Sequence, residues 1–159
     1  MMRAIIGALG YVRRGDSVLM VQRTRDGDDH QGKWIGLGGK LEPGEDALAC
    51  LRRELREEAG IEVTGARLRG TVAWPGFGSD GSDWFGLVFL VEGFDGEPPE
   101  RNDDGPLAWI PVEELLEVPI WEGDRHFLPL VVDDDPRLFH AVIPYRDGEV
   151  VSEAVAVSR

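Results

Sequence analysis

Three glutamates, Glu54, Glu57 and Glu58, lie at spacings of three and four residues in a stretch with helical periodicity. Because an α-helix advances about 100° per residue, this spacing places the three carboxylates within an arc of about 100°. The apolar stripe of the same stretch, Leu48, Leu51 and Leu55, points more than about 80° away from them. One face is therefore predicted to pack, while another presents three negative charges.

Neighbouring carboxylates on a helix repel each other, and each like-charged pair costs a few tenths of a kcal/mol. The helix dipole adds to this cost because it disfavours anions in the C-terminal half. Mg²⁺ or Mn²⁺ would offset the repulsion, since hard oxygen ligands together with substrate phosphates suit these ions. Such an ion polarises a phosphoryl oxygen and activates water. Without metal, the repulsion is predicted to raise the pKa of at least one of these carboxyl groups.

The same pattern also fits a solvated acidic face whose charges are balanced by Arg52, Arg53 and Arg56. Taken alone, the three glutamates leave both interpretations open. The residues around the helix are needed to decide between them.

The rest of the chain, which is predicted to contain several strands and few helices, must position the helix that carries the three glutamates. The helix is predicted from Asp46 to Ala59, with Gly60 as the residue that ends it. Strand-like segments are Ala4–Val12, Ser17–Gln22, Trp34–Gly39, Ile61–Ala73, Trp84–Glu92 and Leu107–Ile110, and short helices are predicted at Val112–Leu116 and Asp124–Val132. A closing hairpin is predicted from Phe139–Tyr145 and Glu149–Val157 around Asp147-Gly148. This order indicates the α+β class.

Composition excludes several other classes of protein. The chain has 159 residues, which predicts one domain spanning 1–159, and its formal net charge of −13 disfavours nucleic-acid polymers as partners. Cys50 is the only cysteine, so neither a disulfide framework nor a cysteine-based zinc site is expected. No apolar run approaches 18 residues, and the N-terminus lacks the features of a signal peptide. These features predict a soluble, cytoplasmic protein that does not bind membranes.

The residues around the helix match one motif at every fixed position. The matching residues are Gly39, Glu45, Arg53-Glu54-Leu55, Glu57-Glu58 and Gly60-Ile61. On this motif the chain resembles the Nudix hydrolases. The resemblance implies an α/β/α sandwich in which a mixed sheet is flanked by helices, with a loop–helix–loop that binds divalent metal and a nucleoside diphosphate group. It further implies that Glu54, Glu57 and Glu58 are catalytic metal ligands aided by the Gly39 carbonyl, and that Glu45 and Arg53 form a structural ion pair.

Two segments outside the motif are similar to the MutT-like branch of 8-oxo-dGTP diphosphatases. One runs from Gly32 to Leu41, and the other is Trp121-Glu122-Gly123-Asp124. The resemblance implies that Trp121 stacks on a purine base and that Asp124 hydrogen-bonds its edge. The chain departs from mammalian members at Gly123, where they have an aspartate, and at Ile35, where they have an asparagine.

The resemblance also implies a set of substrate contacts, and alternatives remain open for several of them. The expected contacts are Arg23, Trp34, Ile35, Gly38, Lys40, Trp121 and Asp124, with Asp104 as an additional metal ligand. Trp121 could instead be a core residue, Asp124 the N-cap of a helix over Arg125–Val132, Asp104 part of a solvated turn and Lys40 a solvated side chain. His30 is either a surface residue or part of the pocket. The Gly-rich segment 76–83 lacks the following helix of a dinucleotide-binding motif and is predicted to be a loop near the substrate.

The implied activity is Mg²⁺-dependent hydrolysis of a nucleoside triphosphate to the monophosphate and pyrophosphate, with Mn²⁺ as a possible substitute. The preferred substrate would be an oxidised purine nucleotide such as 8-oxo-dGTP, which implies sanitation of the nucleotide pool. Alternatives are the same chemistry on another nucleotide, ADP-ribose or a dinucleoside polyphosphate, and a non-catalytic nucleotide sensor. The expected partner is a small nucleotide, and the chain is expected to be a monomer or a homodimer.

Overall fold

The structure, a computed structural model, describes residues 1–30 and 32–159. Its helices are α1 (Ala47–Ala59) and α2 (Leu128–Val132), with 3₁₀ turns at Val112–Glu114, Glu122–His126 and Ser152–Ala154. Its strands are β1 (Ala4–Arg14), β2 (Ser17–Gln22), β3 (Trp34–Ile35), β4 (Leu37–Lys40), β5 (Glu62–Trp74), β6 (Asp83–Asp95), β7 (Arg101–Asn102), β8 (Gly105–Pro111), β9 (Phe139–Val142), β10 (Tyr145–Arg146), β11 (Glu149–Val150) and β12 (Ala156–Ser158). Within the described residues, neither helix is long and apolar enough to cross a membrane.

The strands form one large mixed sheet, as the sequence predicts. Its order is β12-β9-β5-β6-β1-β2-β8-β7, with β3 added beside β2 and β4 beside β1. The pairs β1–β6 and β5–β9 are parallel, whereas the other pairs in the sheet are antiparallel. Because β4 pairs with the central strand β1, the loop that leads into α1 starts from the middle of the sheet.

Helices cover both faces of this sheet, which confirms the α+β class and the three-layer arrangement. On one face α1 buries Cys50, Leu51, Leu55 and Ala59 against the sheet. On the other face the region around α2 buries Phe127, Leu128 and Val131. Burial of apolar side chains on both faces stabilises the sheet and fixes α1 relative to β4.

The ends of α1 agree with the sequence prediction. The Asp46 carboxylate caps the first turn by accepting a hydrogen bond from the Ala49 amide at 2.8 Å. Gly60 ends the helix in the left-handed region with φ 65°. The apolar stripe differs at one position, since Leu48 is exposed and Cys50 is fully buried. Side chains lean toward a helix N-terminus, so a residue of the first turn projects past the end of the buried stripe.

Three predictions for the C-terminal third need correction. The Asp147-Gly148 turn is present between β10 and β11, but β9 pairs in parallel with β5 and only its other edge pairs with β12, so the predicted hairpin is interrupted. The predicted helix Asp124–Val132 is broken at Phe127 into a 3₁₀ turn and α2. Pro129 explains the break, because it has no amide hydrogen to donate to the carbonyl four residues earlier. The helix predicted at Val112–Leu116 is only a 3₁₀ turn.

Candidate active site

The loop before α1 lies directly against the carboxylate face of the helix. A Cβ atom built on Gly39 would collide with the Glu54 carboxylate, so any other residue at this position would push that side chain away from the strand. This close approach places the Gly39 backbone next to the Glu54 carboxylate. The contact explains why the motif begins with glycine.

Arg53 connects the loop to the helix, as the sequence predicts for a structural ion pair. Its Nε and Nη2 donate to the two Glu45 carboxylate oxygens at 2.7 and 3.0 Å. Its Nη1 donates to Glu54 at 2.8 Å and to Glu57 at 3.3 Å, while Nη2 also reaches the Lys40 carbonyl at 3.1 Å. These hydrogen bonds hold the pKa of the Glu45 carboxyl below its usual range. One guanidinium therefore organises three carboxylates and the loop backbone.

Glu58 is partly buried against the strand before the helix. Its carboxylate accepts a hydrogen bond from the Gly38 amide at 3.2 Å. Burial raises the pKa of Glu58 to about 8, and repulsion from Glu54 and Asp104 adds to the effect. The predicted rise in one carboxyl pKa is therefore confirmed, although burial contributes more than repulsion.

Asp104 lies near this cluster, and its side chain is 24% exposed. The guanidinium groups of Arg23 and Arg25 each approach it at 3.9 Å. The Asn102 side chain, two residues earlier, donates to the Glu58 carbonyl at 3.0 Å. The turn that carries Asp104 is thus tied to the C-terminal end of α1.

The donors on this face are oxygen atoms, which suit Mg²⁺ or Mn²⁺. Within the described residues, no three acidic, histidine or cysteine side chains already converge in the geometry of a metal site. Arg53 is one reason why the carboxylates do not converge, because Glu54 and Glu57 both bind its guanidinium. The repulsion among Glu54, Glu58 and Asp104 leaves excess negative charge that a divalent cation would balance. The chemistry of the donor set therefore fits a divalent metal.

A cavity of about 310 Å³ opens beside the carboxylate helix and contains most of the predicted substrate contacts. Its wall includes Arg23, Ile35, Gly38, Lys40, Trp121 and Asp124. Gly39 also lines it, so the cavity adjoins the residue that touches Glu54. Trp34 is not part of this wall; it packs against the core next to α2.

Asp124 is a buried carboxyl group at the wall of this cavity. Only 8% of its surface is exposed, and within the described part of the chain its carboxylate receives no hydrogen bond from protein. Burial raises the pKa of Asp124 to about 7. The alternative that Asp124 caps a helix is wrong, because Phe127 precedes α2 and Asp124 lies inside the 3₁₀ turn.

The glycine before Asp124 has a steric cause in this fold. The Gly123 amide donates to the Tyr145 hydroxyl at 3.1 Å. A Cβ atom at position 123 would collide with that hydroxyl. Mammalian members have an aspartate at this position, and here the contact with Tyr145 requires a glycine instead.

Trp121 packs against the core and also lines the cavity, so it can be both a core residue and a substrate contact. Its ring meets Phe77 and Tyr145 edge-on, with centroid distances of 5.2 and 5.8 Å. The Lys33 ammonium lies over the ring at 5.0 Å. The indole Nε1–H donates to Nδ1 of His30 at 2.7 Å. These contacts fix the indole on several sides.

Sequence reasoning did not identify Phe77 and Trp84 as wall residues, and it left His30 undecided. All three line both this cavity and an adjoining one of about 560 Å³, which the loop Gly76–Ser82 borders. The prediction that this loop lies near the site is confirmed in position. An aromatic residue within a glycine-rich loop was the available signal for Phe77.

Comparison with known proteins decides the family. The NUDIX domain model matches residues 2–131. The chain belongs to the Nudix family. It is a Nudix hydrolase, and members of this family generally use divalent metal ions and small nucleotide substrates.

Three similar proteins illustrate the range within the family. The chain is 34% identical over 123 residues to a putative 8-oxo-dGTP diphosphatase 2 of Mycobacterium tuberculosis, covering 75% of this chain and 82% of that protein. It is 42% identical over 137 residues to the NAD-capped RNA hydrolase NudC of Pseudomonas putida, covering 84% of this chain but 46% of that protein. The crystal structure of the mutator MutT protein from Bacillus halodurans superposes with a TM-score of 0.82 at 29% identity, covering 97% of both chains.

Replacing Arg53 with Lys in this Nudix hydrolase is expected to lower both activity and stability. Lysine keeps the charge but cannot bind Glu45 through two parallel hydrogen bonds while also holding Glu54. We expect the free energy of unfolding to fall by about 1 kcal/mol, as for an ion-pair network in partial contact with solvent, and we expect kcat to fall by a larger factor. Urea unfolding and steady-state kinetics measure the two effects. Arg52→Lys, exposed on the same helix, is the control, and equal behaviour of both variants would contradict the organising role.

Asp124 is expected to make the stability of this Nudix hydrolase depend on pH. Its pKa is about 7 in the folded state against 3.8 ordinarily, so the unfolded chain releases this proton first. Stability is therefore lost as pH rises from about 4 to about 7, by at most about 4 kcal/mol from this group. Asp124→Asn is expected to be less sensitive to pH and more stable than the parent at pH 8.

Urea unfolding at pH 5, 6, 7 and 8 tests this expectation. Asp95→Asn, at an exposed position, serves as the matched control. If the parent and Asp124→Asn show the same change in unfolding free energy between pH 5 and pH 8, the expected linkage is wrong.

Proposed function

We propose that this Nudix hydrolase is a Mg²⁺-dependent nucleoside triphosphate pyrophosphohydrolase that prefers oxidised purine nucleotides. It would convert 8-oxo-dGTP to 8-oxo-dGMP and pyrophosphate and so remove damaged nucleotides. The observation that carries the proposal is the position of the cavity containing Trp121 and Asp124, which adjoins the carboxylate helix through Gly38 and Gly39. A base in this cavity would place its phosphates toward the helix.

The metal would be held by Glu54, Glu57 and Glu58 with the Gly39 carbonyl, and Asp104 would complete the oxygen donors. Mg²⁺, or Mn²⁺ in its place, would supply charge neutralisation on the phosphates and Lewis-acid activation. Glu54 and Glu57 would exchange part of their contact with Arg53 for this role. Arg53 would keep its two bonds to Glu45 and thereby preserve the position of the loop.

The remaining chemistry is positioning and electrostatics. Arg23 and Lys40 line the cavity and would balance phosphate charge. Glu54 would orient the attacking water and accept its proton. Hydrolysis then breaks the phosphoanhydride bond between the α- and β-phosphorus, with water supplying the new oxygen on the β-phosphorus, as the resemblance implies, so that the nucleoside monophosphate leaves and pyrophosphate is the second product.

Base selection would come from the opposite end of the cavity. The Trp121 indole offers an aromatic surface for stacking on a purine, and Asp124 offers a carboxyl group to its polar edge. Because the pKa of Asp124 is about 7, this group exchanges between a donor and an acceptor near neutral pH. Ile35 supplies apolar contact where mammalian relatives have an amide.

A substrate panel with Mg²⁺ tests the proposal directly. It contains 8-oxo-dGTP, dGTP, dCTP, ADP-ribose, diadenosine tetraphosphate and NADH, with kcat/KM measured and products identified. We expect 8-oxo-dGTP to lead dGTP by at least about tenfold, corresponding to about 1.4 kcal/mol of transition-state binding. Trp121→Ala and Asp124→Asn should reduce that lead, whereas Trp121→Phe should retain more of it.

The panel also separates the alternatives. A lead for ADP-ribose, NADH or the dinucleoside polyphosphate would keep the family chemistry but overturn the proposed base pocket. Tight nucleotide binding without turnover would favour a sensor instead. We further propose that residues 1–159 act as one domain in the cytoplasm, on free nucleotides rather than nucleic-acid polymers or membranes, as a monomer or homodimer.

A further inference from the structure

The contact between His30 and Trp121 has a chemical consequence beyond packing. The indole Nε1–H lies 2.7 Å from Nδ1 of His30. An indole nitrogen can only donate a hydrogen bond, so Nδ1 must be the acceptor and carries no proton. A neutral imidazole in this arrangement has its proton on Nε2. The Trp121 contact therefore selects one of the two neutral tautomers.

The surroundings favour this neutral form. His30 packs against Phe77 and Trp121, with ring centroids 5.6 and 5.4 Å away. Burial lowers the pKa of the imidazole, and the Arg23 charge acts in the same direction, against opposing contributions from Asp28, Asp29 and Asp104. Protonation would also turn Nδ1 into a donor and break the bond from Trp121.

The backbone at His30 is also held in place. The Asp28 carboxylate accepts from the His30 amide at 2.8 Å, and Arg23 binds the same carboxylate at 2.7 Å. Asp28 therefore anchors the backbone of His30, and Trp121 anchors its ring. Arg23 and Trp121, which take part in these contacts, line the same cavity. Within the described residues, no protein group accepts a hydrogen bond from Nε2 of His30. His30 lines both cavities, so its Nε2–H donor belongs to a residue of their walls.

We propose that His30 determines base specificity by donating a hydrogen bond from Nε2 to a carbonyl oxygen of a keto-purine base. This inference rests on the proposed function, because it requires a nucleotide base in the cavity. Guanine-type bases present a carbonyl acceptor at the position where adenine presents an amino donor. A fixed Nε2–H donor therefore favours the keto purine and meets the adenine amino group without an acceptor.

Two variants separate this donor from the support that His30 gives to Trp121. His30→Asn keeps an acceptor near the Nδ1 position for the indole but removes the donor at the Nε2 position. His30→Gln places an amide donor near the Nε2 position but loses the close acceptor for Trp121. With dGTP, 8-oxo-dGTP and dATP as substrates, we expect His30→Asn to raise KM for both keto purines roughly tenfold with little change in kcat. His30→Gln should retain more of the preference over dATP.

A role limited to supporting Trp121 predicts the reverse order, with preference kept in His30→Asn and lost in His30→Gln. That result would overturn the proposal. His126→Asn, at an exposed position, is the matched control and should leave all three KM values unchanged. Thermal unfolding of each variant shows whether a KM change reflects loss of the fold.

The tautomer gives a second readout that does not depend on turnover. Two-dimensional ¹⁵N correlation spectra of the imidazoles should show His30 protonated on Nε2, with the signal assigned by its loss in His30→Asn. Protonation on Nδ1 would overturn the proposal even if the enzyme is active. Failure of the proposed function would appear differently, because the parent protein would then not hydrolyse purine triphosphates. In that case His30 would also have no keto-purine base to bind.

Discussion

Replacing Glu57 with Gln is expected to lower kcat/KM for nucleoside triphosphate hydrolysis by at least about 10²–10³-fold, the loss typical of removing one electrostatic contact to the transition state. Glu57 is suited to this test because its side chain is 59% exposed and makes one bond, at 3.3 Å to Arg53. Glutamine preserves size and helix propensity while removing the negative charge. The change should therefore affect metal binding much more than folding.

The measurement is Mg²⁺-dependent release of pyrophosphate, followed at increasing Mg²⁺ concentration. A weakened metal site should shift the required Mg²⁺ concentration upward as well as lower the maximum rate. Glu62→Gln is the control, since Glu62 is also about half-exposed and pairs with an arginine, Arg56, just beyond α1. Activity of Glu57→Gln within about twofold of the parent would contradict its assignment as a metal ligand.

The sequence predicted the parts of this site that are formed by residues close together in the chain. The helix α1 follows from apolar periodicity, the Asp46 cap and the glycine that ends it. The resemblance to the Nudix motif implied the ion pair between Arg53 and Glu45, and the structure contains it. The role that the same resemblance gives to the Gly39 carbonyl stays a prediction.

The parts that sequence reasoning missed depend on contacts between distant segments. His30 and Trp121 are separated by 91 residues, and neither belongs to a periodic pattern that would bring them together. The interrupted C-terminal hairpin is similar, since burial of Phe139 and Ala141 draws β9 to the main sheet. The local turn preference is kept at Asp147-Gly148, whereas tertiary burial decides how the strand before it pairs.

Arg69 is the most buried charged residue of the chain in the described ranges, and the sequence offered no signal for it. It lies on β5 with 1% of its surface exposed, although a charged residue in a strand is normally on the solvent side. Its guanidinium donates to the carbonyls of Leu130, Val131 and Asp135 at 3.1, 3.1 and 2.7 Å. It also binds the Asp133 carboxylate at 3.1 Å. Arg69 thus satisfies the carbonyl end of α2, where a helix lacks its own partners.

Replacing Arg69 with Met is expected to lower the free energy of unfolding by about 1–3 kcal/mol, because the Val131 carbonyl loses its side-chain donor. The other acceptors keep hydrogen bonds from Arg159, which donates to Leu130, Asp133 and Asp135. Methionine fills much of the same volume, so the loss would reflect the hydrogen bonds rather than a cavity. Urea unfolding measures the change. Arg67→Met is the matched control on the same strand, since Arg67 is 52% exposed and pairs with the exposed Glu92, and it should change stability by no more than about 0.5 kcal/mol.

The same substitution should also affect the site through α2. This helix begins four residues after Asp124, so a shift at its carbonyl end would move the buried carboxyl group at the cavity wall. We expect purified Arg69→Met, below its unfolding temperature, to show a raised KM for the purine nucleotide, with the Mg²⁺ requirement set at α1 unchanged. A loss of less than about 1 kcal/mol would show that Arg159 or water supplies the missing hydrogen bonds and that Arg69 does not hold α2 in place.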